Sequence, residues 1–321
     1  MMCALSAQAE EKTPLWLDPE VNRVNVVPSR STFFAFENNA SPCFKAKENS
    51  SRYISMEGPW KFLFVKDHDK APKGFQMPGY DDAAWTTFPV PGLFEMNGYG
   101  DRIYKNVGYA WATQFSSNPP FVEEKNNYTG SYRREFEIPA EWKGMRIFMH
   151  VGSATSNLTL WVDGKEVGYS EDSKMEAEFD LTPYLTPGKK SLFAMQVMRW
   201  CDGSYLEDQD FWRFTGIARE VYLYARPQTY VQDIFVTPDL TDNYSNGKLS
   251  IRVNTVKPSG ASLRMSLVDP TTGGEVWTSE AKAQAETSVE CQVQNPRKWS
   301  AEMPNLYELR TTLLDSKGNK L

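Results

Sequence analysis

Short apolar segments alternate with polar turns along the chain, and five of these segments predict β-strands. They are RIFMHV at 146–151, NLTLWV at 157–162, SLFAMQVMRW at 191–200, REVYLYA at 219–225 and LSIRVNTV at 249–256. Turn-forming residues lie between them, as at Asp163-Gly164 and Pro187-Gly188. Since no segment sustains a helical period, the pattern predicts an all-β sandwich or jelly roll with very little helix.

A change in pattern near residue 227 predicts a boundary between two domains. One strand ends at Ala225, Pro227 interrupts the pattern, and a new alternating strand begins near Val231. The remainder contains about six strand-like runs, which is typical of an immunoglobulin-like sandwich of about 100 residues that lacks its last strand. Because the chain ends one turn after a strand, we expect this second domain to be C-terminally incomplete.

Composition excludes some partners. With 321 residues, 40% of them hydrophobic, the chain can bury a sizeable core. Its formal net charge of -6 gives no basic excess, so we expect neither nucleic acid nor a membrane surface as a partner. Aromatic residues make up 13% of the chain, and they suit either sheet cores or the apolar faces of sugars.

The N-terminus MMCALSAQAEEKTP has the end of an apolar run, then Ala7-Gln8-Ala9, then acidic residues. This order predicts that residues 1–9 are the remnant of a secretory signal and that the protein is periplasmic or secreted. Cys3 would be removed with the signal.

The remaining cysteines, Cys43, Cys201 and Cys291, are odd in number and widely spaced, which argues against a disulfide framework or a zinc site. His68 and His150 have no partner at metal-ligand spacing, so we interpret them as ordinary surface or core residues.

The segment WCDGSYLEDQDFWRFTGI at 200–217 combines carboxylates with aromatic residues. It could be a catalytic pair, a cation site or a solvated loop. In an extended chain Asp208 and Asp210 would share one face, about 6 to 7 Å apart at Cα. A glycosidase pair must flank a sugar from two sides, which two residues so close in sequence cannot do. The segment also lacks the spacing of an EF-hand calcium loop.

Apolar residues in the same segment predict that it is packed against the rest of the domain. They are Leu206, Phe211, Trp212 and Phe214. One carboxylate presented from a packed loop is the interpretation that remains.

Several sequence blocks, in order, resemble the N-terminal part of family 2 glycoside hydrolases, most closely bacterial β-galactosidases of the LacZ type. They are GPWKFLF at 58–64, VPGLFEMNGYGDRIYKNVGY at 90–109, NPPFV at 118–122, TGSYRREFEIP at 129–139, LWVDGKEVGYSEDSKMEAEFDLTPYL at 160–185, RWCDGSYLEDQDFWRFTGIAREVYL at 199–223 and NPRKWSAEMPNLYEL at 295–309. Composition cannot produce so many ordered blocks, so the resemblance is specific.

The resemblance implies a domain order. An N-terminal extension at 10–50 would precede a jelly-roll sugar-binding domain at 51–227 and an immunoglobulin-like β-sandwich at 228–321. In the family a catalytic (β/α)8 barrel follows and supplies both catalytic glutamates. This chain ends before any barrel and has no Asn-Glu dipeptide, the family's mark of the acid/base residue. We therefore expect no catalytic residue here and an inactive chain, whereas the parent enzyme would hydrolyse terminal β-D-galactosides with retention.

The resemblance also assigns substrate-binding residues. Asn106 of IYKNV and Asp210, the last residue of LEDQD, correspond to side chains that reach the galactoside pocket. Asp210 would also ligate a metal, a sodium ion, and the parent enzyme would use sodium and magnesium. Without the resemblance, Asn106 would be interpreted as an ordinary turn residue. Glu207 and Asp208 are expected to orient the loop or to face solvent.

The aromatic residues Tyr104 and Trp111 each allow two interpretations, as a sugar platform or as a packing residue.

The implied partners are a β-galactoside and the missing barrel, and homo-oligomer formation stays open. A free-standing carbohydrate-binding module without catalysis is the main alternative, and a scaffold domain that binds proteins is the second. The DNA sequence beyond the codon for Leu321 would distinguish the enzyme from the module.

Overall fold

The computed structural model describes residues 13–37, 44–207 and 210–321, with the side chains of 44 and 45 excepted. The predicted signal remnant at 1–9, Cys43 and Asp208 lie outside the described residues. Within them the fold is all-β, as predicted. The helices described are short 3-10 turns at Leu15–Leu17, Phe44–Asn49, His68–Lys70, Glu95–Asn97, Ala110–Thr113, Ala140–Trp142 and Asp202–Tyr205.

The described strands are numbered in chain order. They are β1 (Arg23–Val24), β2 (Tyr53–Ser55), β3 (Gly58–Val65), β4 (Thr86–Val90), β5 (Gly92–Leu93), β6 (Ile103–Lys105), β7 (Thr129–Glu137), β8 (Arg146–Val151), β9 (Ala154–Thr155), β10 (Leu158–Val162), β11 (Lys165–Ser170), β12 (Ala177–Asp180), β13 (Lys190–Met198), β14 (Phe211–Arg213), β15 (Gly216–Ile217), β16 (Val221–Arg226), β17 (Tyr230–Thr241), β18 (Asn246–Val256), β19 (Ser262–Val268), β20 (Glu275–Lys282), β21 (Glu286–Val293) and β22 (Glu308–Leu314).

The five strands predicted from sequence all form, and β8 has the predicted limits. The limits of the other four differ from those predicted by one to three residues, because fraying and pairing decide where a ladder ends. The predicted turn at Asp163-Gly164 joins β10 to β11.

The strands form several sheets. The largest has the order β1-β11-β10-β13-β7-β3-β4, and a four-stranded sheet has the order β12-β8-β16-β2. A three-stranded sheet, β5-β15-β9, and a two-stranded ribbon, β14-β6, complete the first part of the chain. Together these strands form the predicted jelly roll.

Contacts divide the chain into two units, and the division falls within β16, between Leu223 and Tyr224. The first unit contains the described residues of 1–28, 55–143 and 147–223, and the second those of 29–54, 144–146 and 224–321.

Aromatic side chains form the core of the first unit. Along β3, Trp60 and Phe62 are fully buried, and the Phe62 ring lies 4.4 Å from that of Phe88 and 4.8 Å from that of Tyr132. Alternation along the strand directs Trp60 and Phe62 to the same side of the sheet, whereas Lys61 between them is only half-buried. Burying each of these side chains stabilises the fold by roughly 1.5 to 3 kcal/mol.

The second unit contains the six strands expected after residue 227, arranged as two three-stranded sheets, β17-β18-β21 and β20-β19-β22. Its core includes Ile251 and Val253 from β18 together with Leu263 and Met265 from β19, all within 1% of full burial. Residues between them, such as Arg252, are exposed, so each sheet has one buried face, as in the predicted immunoglobulin-like sandwich.

The histidines and the described cysteines have structural neighbours. His68 Nδ1 lies 3.2 Å from Thr129 Oγ1, and His150 Nδ1 lies 3.1 Å from Glu178 Oε1. Cys201 and Cys291 are buried and are not joined in a disulfide. Among the described residues, no helix has the length and apolar character needed to cross a bilayer.

Candidate functional site: the ribbon that carries Asn106 and Asp210

The two substrate-binding residues predicted from the resemblance lie at the same end of one antiparallel ribbon. Strand β6 pairs with β14, with Tyr104 opposite Trp212 and Lys105 opposite Phe211. Asn106 follows Lys105 and Asp210 precedes Phe211, so both residues adjoin the last pair of the ladder. Both are exposed. The pairing therefore brings together two segments that are more than 100 positions apart.

Tyr104 links the two strands through its side chain. Its hydroxyl donates a hydrogen bond of 2.6 Å to Asp210 Oδ1, and this bond is the main reason that the pKa of Tyr104 is raised. The Tyr104 ring also meets the ring of Trp212 edge to face at 5.4 Å. Tyr104, Asp210 and Trp212 therefore share one face of the ribbon, and Tyr104 holds the carboxylate in a defined position.

The sequence does not predict this role for Tyr104. An aromatic residue at this position predicts a sugar platform or a packing residue, whereas in the structure Tyr104 donates a hydrogen bond to Asp210. The pairing of β6 with β14 reveals this contact, and a single sequence carries no local signal for pairing over such a separation.

The prediction that apolar residues pack the acidic loop is wrong for three of them. Leu206 is 86% exposed, Phe211 51% and Trp212 45%. For Phe211 and Trp212 the reason is that β14 pairs only with β6 in a two-stranded ribbon, so no sheet layer covers these two side chains within the described structure. Phe214 is half-buried, and its ring stacks on that of Trp212 at 5.7 Å.

Hydrogen bonds anchor the loop instead. Glu207 accepts hydrogen bonds from the backbone N–H and the hydroxyl of Ser173, and loss of hydration raises the pKa of its carboxyl. Tyr205 donates to the Phe121 carbonyl at 2.7 Å and accepts from the Asn118 N–H at 3.2 Å. Glu207 thus orients the loop, which was one of its two predicted roles.

Trp111 behaves as a packing residue. Its ring is stacked on Tyr109 and Phe115 and meets Tyr205 edge to face at 4.7 Å. Trp111, Phe115 and Tyr205 belong to a hydrophobic cluster that also contains Ala110 and Trp200.

One group of potential metal ligands occurs in the described residues away from the ribbon. Ligand atoms of Glu171, Cys201 and Asp202, all buried, lie within 4.8 Å of one another. Burial, followed by the hydrogen bond with Asp202, raises the pKa of Glu171 to about 9, so a proton is bound there at neutral pH. The carboxylates of Glu171 and Asp202 are suitable ligands for a hard cation such as magnesium, which would have to displace the proton on Glu171. The thiol of Cys201 is a soft ligand and does not suit such a cation.

At the ribbon, Asp210 and the Tyr104 hydroxyl offer oxygen ligands of the kind that sodium accepts. They supply only part of the shell that a hard cation requires.

Comparison with known proteins agrees with this architecture. The sequence profile of "Glycosyl hydrolases family 2, sugar binding domain" matches residues 53–227, and that of "Glycosyl hydrolases family 2" matches residues 229–321. Among curated proteins, a beta-galactosidase of Priestia megaterium is 33% identical over 318 residues, covering 95% of this chain and 31% of the relative. A beta-galactosidase of Vibrio vulnificus is 35% identical and covers 95% of this chain and 30% of the relative.

Solved structures share the fold at lower identity. Bacteroides uniformis beta-glucuronidase has a TM-score of 0.65 and 22% identity over 84% of this chain and 31% of that one. The Ruminococcus gnavus enzyme in complex with D-glucuronic acid has a TM-score of 0.62 and 20% identity over 84% of this chain and 45% of that one. The chain spans about 30% of the length of the curated relatives that it matches. Two successive profiles and an all-β architecture of two units lead to one conclusion: the chain belongs to glycosyl hydrolase family 2.

Proposed function

We propose that this chain is the N-terminal, non-catalytic region of a β-galactosidase-like enzyme that hydrolyses terminal β-D-galactosides with retention. The observation that carries the proposal is the 33% to 35% identity to proteins named beta-galactosidase over 95% of this chain. Since the chain spans about 30% of those relatives, the catalytic barrel and its two carboxylates would belong to the remaining part.

The role proposed for this region is to complete the galactoside pocket. Asp210 would accept hydrogen bonds from sugar hydroxyls and ligate sodium, and Asn106 would add polar contacts from the same end of the ribbon. The hydrogen bond from Tyr104 supports this role, because it fixes the Asp210 carboxylate before a ligand arrives.

The β-glucuronidase neighbours support the fold alone, since their identity to this chain is 22% or lower. The preference for galactosides therefore rests on the sequence relatives. Export to the periplasm or beyond, magnesium in the parent enzyme and homo-oligomer formation remain parts of the same proposal.

The experiment is to sequence the gene beyond the codon for Leu321 and to assay the chain by itself. A continuation of barrel length would support the enzyme. The isolated chain should not hydrolyse a chromogenic β-galactoside, because the two catalytic carboxylates would belong to the remaining part of the enzyme. Clear turnover that disappears on mutation of one of its own carboxylates would refute the proposal.

The alternative is a free-standing carbohydrate-binding module. It is favoured by the matched profile, which describes a sugar binding domain, and by the exposed pair Asn106 and Asp210. Calorimetry with galactose separates the two functions. An incomplete pocket should bind the sugar at millimolar dissociation constants or weaker, whereas micromolar affinity together with a stop codon after residue 321 would favour the module.

A further inference from the structure

The β6–β14 ribbon is attached to the rest of the first unit at the end opposite its two predicted substrate-binding residues. Asn106 and Asp210 adjoin one end of the ladder, and residues 101–102 and 214–215 flank the other end. We call these two flanking segments the base of the ribbon. A pair of strands is at best marginally stable by itself, so the position of Asp210 depends on what holds the base.

Glu95 forms hydrogen bonds with both segments of the base. Its Oε2 accepts a hydrogen bond of 2.8 Å from the backbone N–H of Thr215, which follows β14. Its carbonyl oxygen accepts a hydrogen bond of 3.3 Å from Nε of Arg102, which directly precedes β6. One residue therefore links the two strands at the end opposite Asp210.

A buried arginine attaches the base to the largest sheet. Arg199 directly follows β13 and is 3% exposed, and its Nη2 donates a hydrogen bond of 3.1 Å to the carbonyl of Asp101. The Asp101 carboxylate accepts a hydrogen bond from the hydroxyl of Tyr128, which directly precedes β7. Because β13 and β7 pair along their full length, the base is attached to two inner strands of that sheet.

The charges of Glu95 and Arg199 stabilise each other. Glu95 is 2% exposed, and burial raises the pKa of its carboxyl, whereas the hydrogen bond from Thr215 and the charge of Arg199 lower it. Burial lowers the pKa of Arg199, and the charge of Glu95 raises it. Asp101 and the ring of Tyr128 also stabilise the guanidinium. Removing the charge of Glu95 should therefore weaken the attachment at Arg199 as well as at Thr215.

Buried opposite charges are weak evidence for a role in stability. Apolar side chains of similar volume often stabilise a core equally well, whereas removal of one charged partner is strongly destabilising. Apolar packing also lacks direction, but the hydrogen bonds from Thr215 and Arg102 to Glu95 each fix a distance and an angle. The network is therefore suited to holding the ribbon in one position.

We propose that Glu95 is a positioning residue for the galactoside, because it holds the base of the ribbon and thereby sets where Asn106 and Asp210 meet the sugar. The inference rests on the proposed function, since it requires that Asp210 contacts the substrate. It also predicts an effect on the ribbon of this chain that needs no substrate.

The first test measures the ribbon in this chain alone. Glu95→Gln keeps the size of the side chain but removes its charge. The hydrogen bond from Tyr104 to Asp210 should loosen, so the pKa of the Tyr104 phenol should fall towards its ordinary value. Among the described residues Asp210 supplies the charge that raises this pKa, so the fall reports the hydrogen bond and not the lost charge of Glu95. NMR titration of ¹³C-labelled tyrosine measures the pKa, and amide hydrogen exchange at residues 103–105 and 211–213 should become about tenfold faster.

The second test measures activity in a full-length enzyme that carries this region. Glu95→Gln should lower kcat/KM for a chromogenic β-galactoside about tenfold, because a small displacement of a binding group is costly. The double variant Glu95→Gln, Asp210→Asn shows how the loss arises. If Glu95 acts through Asp210, adding Glu95→Gln to Asp210→Asn should lower kcat/KM by less than about threefold more.

Glu178→Gln is the matched control. Glu178 is also a buried glutamate, and it is hydrogen-bonded with His150 in the sheet β12-β8-β16-β2, which does not include the ribbon. Its substitution therefore removes a buried carboxylate elsewhere in the same unit. The pKa of Tyr104 and kcat/KM should stay unchanged, even if the melting temperature falls.

Arg102→Lys is a milder variant that covers the case in which Glu95→Gln does not fold. It keeps the positive charge of an exposed residue but removes the Nε donor to the Glu95 carbonyl. The pKa of Tyr104 should fall in the same direction, and kcat/KM should fall about twofold, as expected for the loss of one weak hydrogen bond. Circular dichroism checks the fold of each variant.

The outcomes separate this inference from the proposed function. If Asp210→Asn leaves kcat/KM unchanged, the proposed function fails, and the role of Glu95 towards the sugar fails with it. If Asp210→Asn lowers kcat/KM, three results would overturn the role of Glu95 alone. The first is an unchanged pKa of Tyr104 in folded Glu95→Gln, or in Arg102→Lys where Glu95→Gln does not fold. The second is a loss from Glu95→Gln that is equally large with and without Asp210→Asn, and the third is an equal effect of Glu178→Gln.

Discussion

The two faces of the β6–β14 ribbon have opposite electrostatic character. On one face the Asp210 carboxylate accepts a hydrogen bond from Tyr104 and is open to solvent. On the other, Arg213 joins Lys174 and Arg219 around a cavity. Asp210 directly precedes β14 and Arg213 is its last residue, so side chains of opposite charge only three positions apart lie on different faces.

Strand geometry explains this separation. Neighbouring residues of a strand point to opposite sides, and a shift of one residue in the pairing would exchange the two faces. The register that places Tyr104 opposite Trp212 therefore decides which charged side chains lie on each face of the ribbon. We expect neutral galactosides to depend on the first face.

The largest expected effect is on catalysis, in a full-length enzyme that carries this region. Asp210→Asn should lower kcat/KM for a neutral β-galactoside roughly tenfold to a hundredfold, since a charge-assisted hydrogen bond is worth about 1.5 to 3 kcal/mol and each 1.36 kcal/mol is a factor of ten. The variant should also lose any response to sodium, because the amide is a weaker cation ligand. Steady-state kinetics with and without sodium measure both effects.

The control for this prediction lies on the opposite face. Arg219→Gln should change kcat/KM for the same neutral substrate by less than about twofold, as is usual for an exposed charge away from the reacting groups. Asp208→Asn should also be close to neutral. If Arg219→Gln or Asp208→Asn is as damaging as Asp210→Asn, the functional separation of the two faces is wrong.

Much of the fold could be predicted because it follows from local patterns. The strand at 146–151 and the turn at Asp163-Gly164 are formed by neighbouring residues, and both appear as expected. Ile251 and Val253 alternate with polar residues, and this local pattern is sufficient to indicate a half-buried strand.

The ribbon could not be predicted in the same way. Its two strands are short, and Tyr104 and Asp210 are 106 positions apart, so only the folded chain shows that they touch. The apolar character of Phe211 and Trp212 also misled the sequence interpretation, because aromatic residues can lie on an uncovered ribbon as well as in a core. The resemblance identified Asn106 and Asp210, but it did not supply the hydrogen bond from Tyr104 to Asp210.

A smaller effect is expected for Tyr104→Phe in the same full-length enzyme. The substitution removes the hydroxyl that holds Asp210 but keeps the ring beside Trp212. A neutral donor contributes about 0.5 to 1.5 kcal/mol, so kcat/KM should fall roughly twofold to tenfold. A loss equal to that of Asp210→Asn would mean that Tyr104 contacts the substrate itself, and no loss would mean that the hydrogen bond does not position Asp210.

The smallest effects are two opposite pKa changes, which can be measured in this chain alone. The hydrogen bond and negative charge of Asp210 raise the pKa of the Tyr104 phenol, so Asp210→Asn should lower that pKa. On the other face, loss of hydration and the charges of Arg213 and Arg219 lower the pKa of Lys174, so Arg219→Gln should raise it. NMR titration of chains labelled with ¹³C at tyrosine or lysine follows both groups, and the variants Tyr104→Phe and Lys174→Gln assign the signals.

Each substitution should leave unchanged the pKa of the group on the opposite face, because water and salt screen exposed charges that are not in contact. If Arg219→Gln moves the pKa of Tyr104 as far as Asp210→Asn does, the two faces share one electrostatic environment.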